Sequence, residues 1–295
     1  MILKPCRYAL LLVVTMLCCA CEKAVIEEEE DTPGTIVVGA NVVLNVKSNT
    51  VTPLEAQTRA VVNITEYCKT FNFVLYQGEK KVKAITQKNT DTDFGQVSMM
   101  LEPGTYQLLV LAHSSTGNPS LSDPKKLQFT NEDHYSDTFY YYGELVVTDD
   151  PETHYIQLER ATTAVKMVFE ETVPENLCYV NVFYTGGSGV LNAVTGYGGN
   201  VNSQQEVSVG VSKKVAAKEP FAASVYTFLQ SDSCSLNMVV KAMDKNKDII
   251  MERTYKDVPV VHTKLTQFKG RFFDPMNTFV FTAETDWEVV DTLDF

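Results

Sequence analysis

What this chain is short of narrows its function more than what it holds. Its 295 residues include seven cysteines, four histidines and one tryptophan, and lysine plus arginine (25) fall well behind aspartate plus glutamate (37). The net charge of −12 argues against nucleic acid as a partner and against electrostatic adhesion to anionic lipid. His113, His134, His154 and His262 stand apart, with no His-Glu-x-x-His arrangement and no facing cysteine pair to hold a metal. No Gly-x-Ser-x-Gly elbow occurs, and paired carboxylates such as Asp149 and Asp150 sit among turn formers, so no nucleophile can be matched to a base. The expected protein is not an enzyme and calls for no cofactor, metal or small-molecule substrate.

Four of the seven cysteines lie at or before Cys21, leaving Cys68, Cys178 and Cys234. A widely spaced trio is no disulfide framework, and each lies in or beside an apolar run where a buried thiol is expected; one pair could still be bridged.

Helical periodicity is also missing. From Thr35 onward the apolar period is two: Val42, Leu44 and Val46 alternate with Val43, Asn45 and Lys47, and Phe71, Phe73 and Leu75 with Asn72, Val74 and Tyr76. Both runs read as strands with one buried face. Tyr106 to Ala112 is more continuously apolar and suits a central strand, launched by the turn at Pro103-Gly104. Ser114 to Asp137 is a long polar stretch, followed by Phe139-Tyr140-Tyr141-Tyr142, whose rings on a strand would cover a core edge. Asp244 to Asp248 has oxygens at alternate positions but lacks the Gly and Glu of a calcium loop, so it reads as a hairpin turn. Gly186-Gly187-Ser188-Gly189 and Gly196-Tyr197-Gly198-Gly199 lack a following Gly-Lys-Ser/Thr and read as mobile loops. The fold class expected is all-β.

The N-terminus carries a targeting signal. Lys4 and Arg7 precede the apolar run Tyr8–Leu17, which is shorter than the roughly 20 residues that span a bilayer, and Ala20 supplies the small residue beside a cut before Cys21. The expectation is a lipoprotein signal peptide over residues 1–20 and lipid on Cys21, with Cys19 the weaker candidate. Acyl chains contribute on the order of 0.8 kcal/mol per buried methylene to anchoring. Removing Lys4 and Arg7 leaves 23 basic against 37 acidic residues, a charge of −14, so membrane attachment must come from the lipid. Glu27 to Asp31 are five consecutive acids that cannot bury, making residues 21–34 a solvated linker. The run also resembles the acidic export signal of surface-displayed Bacteroidetes lipoproteins. Two medium domains suit the remaining length, 35–159 and 160–295.

Leu101-Glu102-Pro103-Gly104-Thr105-Tyr106, the later Tyr142-Gly143, and Ile156-Gln157-Leu158-Glu159-Arg160-Ala161-Thr162-Thr163-Ala164-Val165-Lys166 resemble the FimB/Mfa2 family of Bacteroidetes fimbrial anchor lipoproteins. The resemblance implies two tandem transthyretin-like (Ig-like) β-sandwiches, the second starting after the Leu-x-Arg strand. It also implies a place at the base of a fimbrium, where the protein holds the shaft to the outer membrane and limits its length. Its partners would be a fimbrial shaft subunit and, through the N-terminal lipid, the outer membrane.

From Phe279 to Phe295 one alternate set is largely apolar and the other largely acidic or polar, and at roughly 3.3 Å per residue the run outreaches one sandwich. We expect residues 286–295, with Trp287, Val289, Leu293 and Phe295, to serve as a donor strand for the neighbouring shaft subunit; a hairpin on its own sheet is the alternative. A shaft or tip subunit would instead, by the same resemblance, be cleaved between Arg59 and Ala60 and lose its first strand. A surface glycan-binding lipoprotein, with Tyr140 to Tyr142 and Trp287 as its platform, is the reading from a different class.

Overall fold

The computed structural model describes residues 39–54, 60–130, 135–199, 204–211 and 221–274. Among these residues the only helix is a single turn, and nearly everything regular is strand. In chain order the first half runs β1 (Ala40–Asn45), β2 (Thr50–Val51), β3 (Val62–Asn63), α1 (Ile64–Tyr67), β4 (Thr70–Gln77), β5 (Lys80–Lys88), β6 (Gln96–Leu101), β7 (Gly104–His113), β8 (Leu127–Gln128), β9 (Phe139–Val147), β10 (Glu152–Tyr155) and β11 (Glu159–Arg160). The second half runs β12 (Thr163–Phe169), β13 (Tyr179–Thr185), β14 (Val190–Asn192), β15 (Tyr197–Gly198), β16 (Gln205–Gly210), β17 (Phe221–Thr227), β18 (Ser233–Met243), β19 (Ile249–Val261) and β20 (Leu265–Gly270).

Four sheets make two sandwiches. In the first, β10-β1-β6 faces β11-β9-β7-β4-β5; in the second, β17-β12-β20 faces β16-β13-β18-β19. Setting aside the two-residue strands and β14, the halves share one topology. Each small sheet has a middle strand, β1 or β12, with one parallel neighbour (β10 or β20) and one antiparallel neighbour (β6 or β17). Each large sheet repeats the order β5-β4-β7-β9 as β16-β13-β18-β19. The chain is thus an all-β tandem of two like sandwiches, each with its own apolar core.

Period-two patterning explains the inner faces. Val42, Leu44 and Val46 point inward to meet Phe71, Phe73, Leu75, Leu108 and Val110, all buried in the first core. The central position expected for Tyr106 to Ala112 is that of β7, third of five strands. Turn chemistry follows the residues as well. Gly78, at φ +57, closes the two-residue β4–β5 hairpin, and the Asp244 carboxylate accepts from the N–H groups of Asn246 (2.8 Å) and Asp248 (3.0 Å) between β18 and β19.

The expectation of one buried face on β4 fails. Thr70 to Tyr76 are buried throughout, because the outer face of the large sheet carries a second apolar layer. Val74, Tyr76, Leu109 and Leu111 lie under Leu127 and Phe129 of the polar 114–130 stretch and under Leu191, Ala193 and Phe228 of the second half. Polar residues in that layer find partners: Tyr76 donates to the Leu121 carbonyl (3.0 Å), and Asn72 reaches Thr86 and His113. A strand pairing joins the halves here, with Leu127 opposite Leu191 and Gln128 opposite Val190. The described residues from Gly39 onward therefore belong to one compact unit.

The glycine-rich segments also depart from expectation. Gly187 to Val190 are buried, and Ser188 exchanges backbone hydrogen bonds of 3.0 Å with Phe228. Gly186 is at φ +95, where a Cβ would overlap the Ser235 carbonyl oxygen. These glycines let two backbones approach closely; they do not form open loops. The three described cysteines are free thiols, Cys68 buried and Cys178 and Cys234 half-buried, so no pair among them is bridged.

Candidate functional site

Cys21, Cys19, the linker 27–34, Arg59, His134, and the tail with Trp287, Val289, Leu293 and Phe295 lie outside the described residues. What surrounds the Arg59-Ala60 bond is described on both sides. β2 and β3 pair antiparallel, Thr50 opposite Asn63 and Val51 opposite Val62, so the bond falls within a hairpin connection. Ala60 is exposed and Val61 is 64% exposed, whereas Leu54, five residues before Arg59, is 1% exposed against Ala164, Tyr226 and Leu265 of the second half.

Everything before that bond includes β1, which sits in the middle of the small sheet. It pairs antiparallel with β6 from Ala40–Leu101 to Asn45–Gln96, and parallel with β10 from Val42–Glu152 to Asn45–Tyr155. Val42, Leu44 and Val46 are each 0% exposed. Burial of three such side chains contributes on the order of 5–9 kcal/mol before the entropy of ordering the strand. Buried Asn49 secures the strand's exit: its amide donates to the carbonyls of Val46 (2.8 Å) and Ile156 (2.7 Å), and its oxygen accepts from the Leu158 N–H (2.7 Å). The groove between β6 and β10 is filled by the chain's own first strand.

A buried ion pair holds the same region. Arg160 makes a fork onto Asp137, Nε to Oδ1 and Nη2 to Oδ2, both 2.9 Å, and Nη2 also donates to the Thr52 carbonyl at 2.7 Å. Thr162 (2.9 Å) and the Tyr67 hydroxyl (3.1 Å) donate to the same carboxylate, and the guanidinium lies 4.8 Å from the Phe139 ring centre. Burial pushes the Asp137 carboxyl above the usual carboxylate range, while Arg160, Thr162 and Tyr67 pull it back. Burial likewise pushes the neighbouring Cys68 thiol up. Arg160 was visible in the sequence as part of a motif. Its partner Asp137 closes a polar stretch and carries no sequence signal of pairing.

The tyrosine run divides between two surfaces. Phe139 and Tyr141 pack on the first core, and Tyr140 and Tyr142 on the second apolar layer, so the three tyrosines share no platform. Tyr140 reaches a cleft of about 600 Å³ at the seam between the sandwiches. The first half contributes Tyr140 with Glu159 and Arg160; the second contributes Thr195 to Tyr197 and His262 to Lys264. Glu159 stands opposite Tyr140 in the β9–β11 ladder. The Tyr197 ring stacks on His262, centres 4.7 Å apart at 32°. Asp232 holds both: its carboxylate accepts from the Tyr197 hydroxyl, and its backbone carbonyl from the His262 N–H (2.8 Å). Nε2 of His262 is buried, with no partner in hydrogen-bond geometry among the described residues. Burial lowers its pKa; the carbonyls of Ala161 and Gly196 oppose that effect without outweighing it. Gly196, at φ +78, closes against the Tyr140 hydroxyl so tightly that a Cβ would overlap it. Sequence reading missed this cleft because its walls come from four separate segments.

The family model described as a family of unknown function, DUF6562, matches residues 33–289. No curated protein matches the chain. Among solved structures, a candidate cell adhesion protein from Bacteroides ovatus superposes with a TM-score of 0.51 at 11% identity, covering 86% of this chain and 99% of that one. A fimbrial assembly protein from Parabacteroides distasonis (TM-score 0.39, 11% identity, 79% and 90% covered) and the tip fimbrial protein Mfa3 of Porphyromonas gingivalis (0.37, 10%, 78% and 94%) also match. The likeness to the first bears on the fold; the other two superpositions are too loose to do so.

Proposed function

The chain belongs to DUF6562, a family of unknown function, and on that premise we propose that it is a surface fimbrial protein, specifically the lipid-anchored basal subunit that holds a fimbrium to the outer membrane. The observation that carries this reading is β1. A strand seated between β6 and β10, with Val42, Leu44 and Val46 fully buried, leaves its groove no vacancy for a donor from another subunit. Such a subunit ends a chain of strand exchanges, as a base or a cap must. Lipid on Cys21 would tether it, the acidic residues 27–31 would space it from the membrane, and the alternating tail from Trp287 to Phe295 would supply the strand that completes the first shaft subunit and so sets where the shaft stops. The tandem all-β body agrees with that role.

A second reading has its own observation. The exposed residues Ala60 and Val61, on a connection between paired β2 and β3, suit processing after Arg59, which would make the protein a shaft or tip subunit with a displaceable β1. Mass spectrometry of the mature surface protein separates the two. We expect an acylated N-terminal Cys21 with the Arg59-Ala60 bond intact; an N-terminus at Ala60 overturns the anchor. Deleting residues 286–295 should unseat shaft subunits from an otherwise folded lipoprotein, and unchanged attachment would remove the donor strand from the mechanism.

A further inference from the structure

The seam cleft has a largely polar lining with an aromatic pair and is used by nothing in the anchoring mechanism. Its volume of about 600 Å³ falls within the 300–1,000 Å³ usual for small-ligand sites. Its charges nearly cancel. Arg160 is committed to Asp137, and the lining otherwise carries one acid, the exposed Glu159, and one base, Lys264. Such a balance gives no reason to collect phosphate or another anion, and among the described residues no group of three or more His, Cys, Asp or Glu is placed to hold a metal. What remains is an aromatic pair, Tyr197 stacked on His262, in a lining that also holds an acceptor, Glu159, and the hydroxyl-bearing Thr195 and Thr263.

Those groups match a ligand with an apolar face and vicinal hydroxyls. We infer that the cleft binds a neutral saccharide, the Tyr197 ring packing on its C–H face and the Glu159 carboxylate accepting from two of its hydroxyls. The walls are set before any ligand arrives. The β9–β11 ladder sets the backbone position of Glu159, and Asp232 holds Tyr197 through the side chain and His262 through the backbone. On the aromatic wall little ordering entropy is then left to oppose binding. Because both sandwiches supply walls, an occupied cleft also ties them together, and ligand should raise the melting temperature.

The test is saturation-transfer NMR on the full mature chain with the methyl glycosides of glucose, galactose, mannose and N-acetylglucosamine, together with maltose and lactose. At least one should show transfer. Glu159→Gln should weaken it about ten- to hundredfold, the loss expected for a hydrogen bond to a charged group, with an unchanged melting temperature. Tyr197→Leu should abolish transfer and Tyr197→Phe retain it, since the ring and not the hydroxyl is the packing surface. If Tyr197→Leu fails to fold, Glu159→Gln decides alone. No transfer from any of the six sugars, or transfer that Glu159→Gln leaves intact, overturns the inference.

Discussion

Replacing Arg160 with alanine should be among the most damaging single changes in the protein, and its cost should depend on pH in a defined direction. Asp137 has its side chain 2% exposed and receives four donors: Arg160 Nε and Thr162 on Oδ1, Arg160 Nη2 and Tyr67 on Oδ2. Arg160→Ala removes two of the four and the only countercharge in the cluster among the described residues, and takes the donor from the Thr52 carbonyl. A buried charge stripped of its partner typically costs about 3–5 kcal/mol. Asp137→Asn should cost less, about 1–3 kcal/mol, because Arg160 keeps 16% of its side chain exposed and can still bond Thr52. The double variant Asp137→Asn/Arg160→Met should be more stable than Arg160→Ala, since no buried charge is left over. With Arg160 gone, the folded Asp137 pKa stands still further above its unfolded value of about 3.9. For a carboxyl raised in that way, stability is fully present below the unfolded value and is lost as pH rises through the folded one. Each unit of upward shift weakens the fold by about 1.4 kcal/mol at high pH. Urea unfolding at pH 5 and pH 8 reads this directly. A loss under about 1 kcal/mol, or one equal at both pH values, refutes the account of the cluster.

Leu44→Ala, at a fully buried site on β1, should cost about 2–5 kcal/mol in urea unfolding. After a trypsin-like cut at Arg59 the wild-type N-terminal fragment should co-elute with the body on size exclusion, and the Leu44→Ala fragment should separate. Iodoacetamide should label Cys178 and Cys234 ahead of Cys68, which is 1% exposed with its thiol pushed up by burial; equal labelling in the folded protein would contradict that burial. His262 has a folded pKa below its unfolded value of about 6.5, so its stability contribution is complete above that pH and is lost as pH falls toward the folded value. His262→Gln should flatten the stability change between pH 7 and pH 5, and an unaltered slope counts against it.

Alternation alone marked β1 and β4 as strands and determined which side of β1 faces a core, because the period of a pleated strand is two and burial selects one set. The turn at Asp244 was legible for an equally local reason, side-chain oxygens that bond nearby N–H groups. Arg160 stood out in its motif, but nothing near Asp137 announced a partner 23 residues away. The outer layer over β4 was invisible too. Leu127, Phe129 and Leu191 are scattered through polar or glycine-rich stretches and Phe228 belongs to a distant apolar run, and only the packing of one sandwich on the other brings them over Val74 and Tyr76. The same packing turned two glycine-rich segments from expected loops into buried contacts and assembled Tyr140, Glu159, Tyr197 and His262 into one cleft. Local pattern encodes what a residue does to its own strand. Which distant segments meet is decided by how the two sandwiches bury their remaining apolar faces, and no single stretch of this chain carries that information.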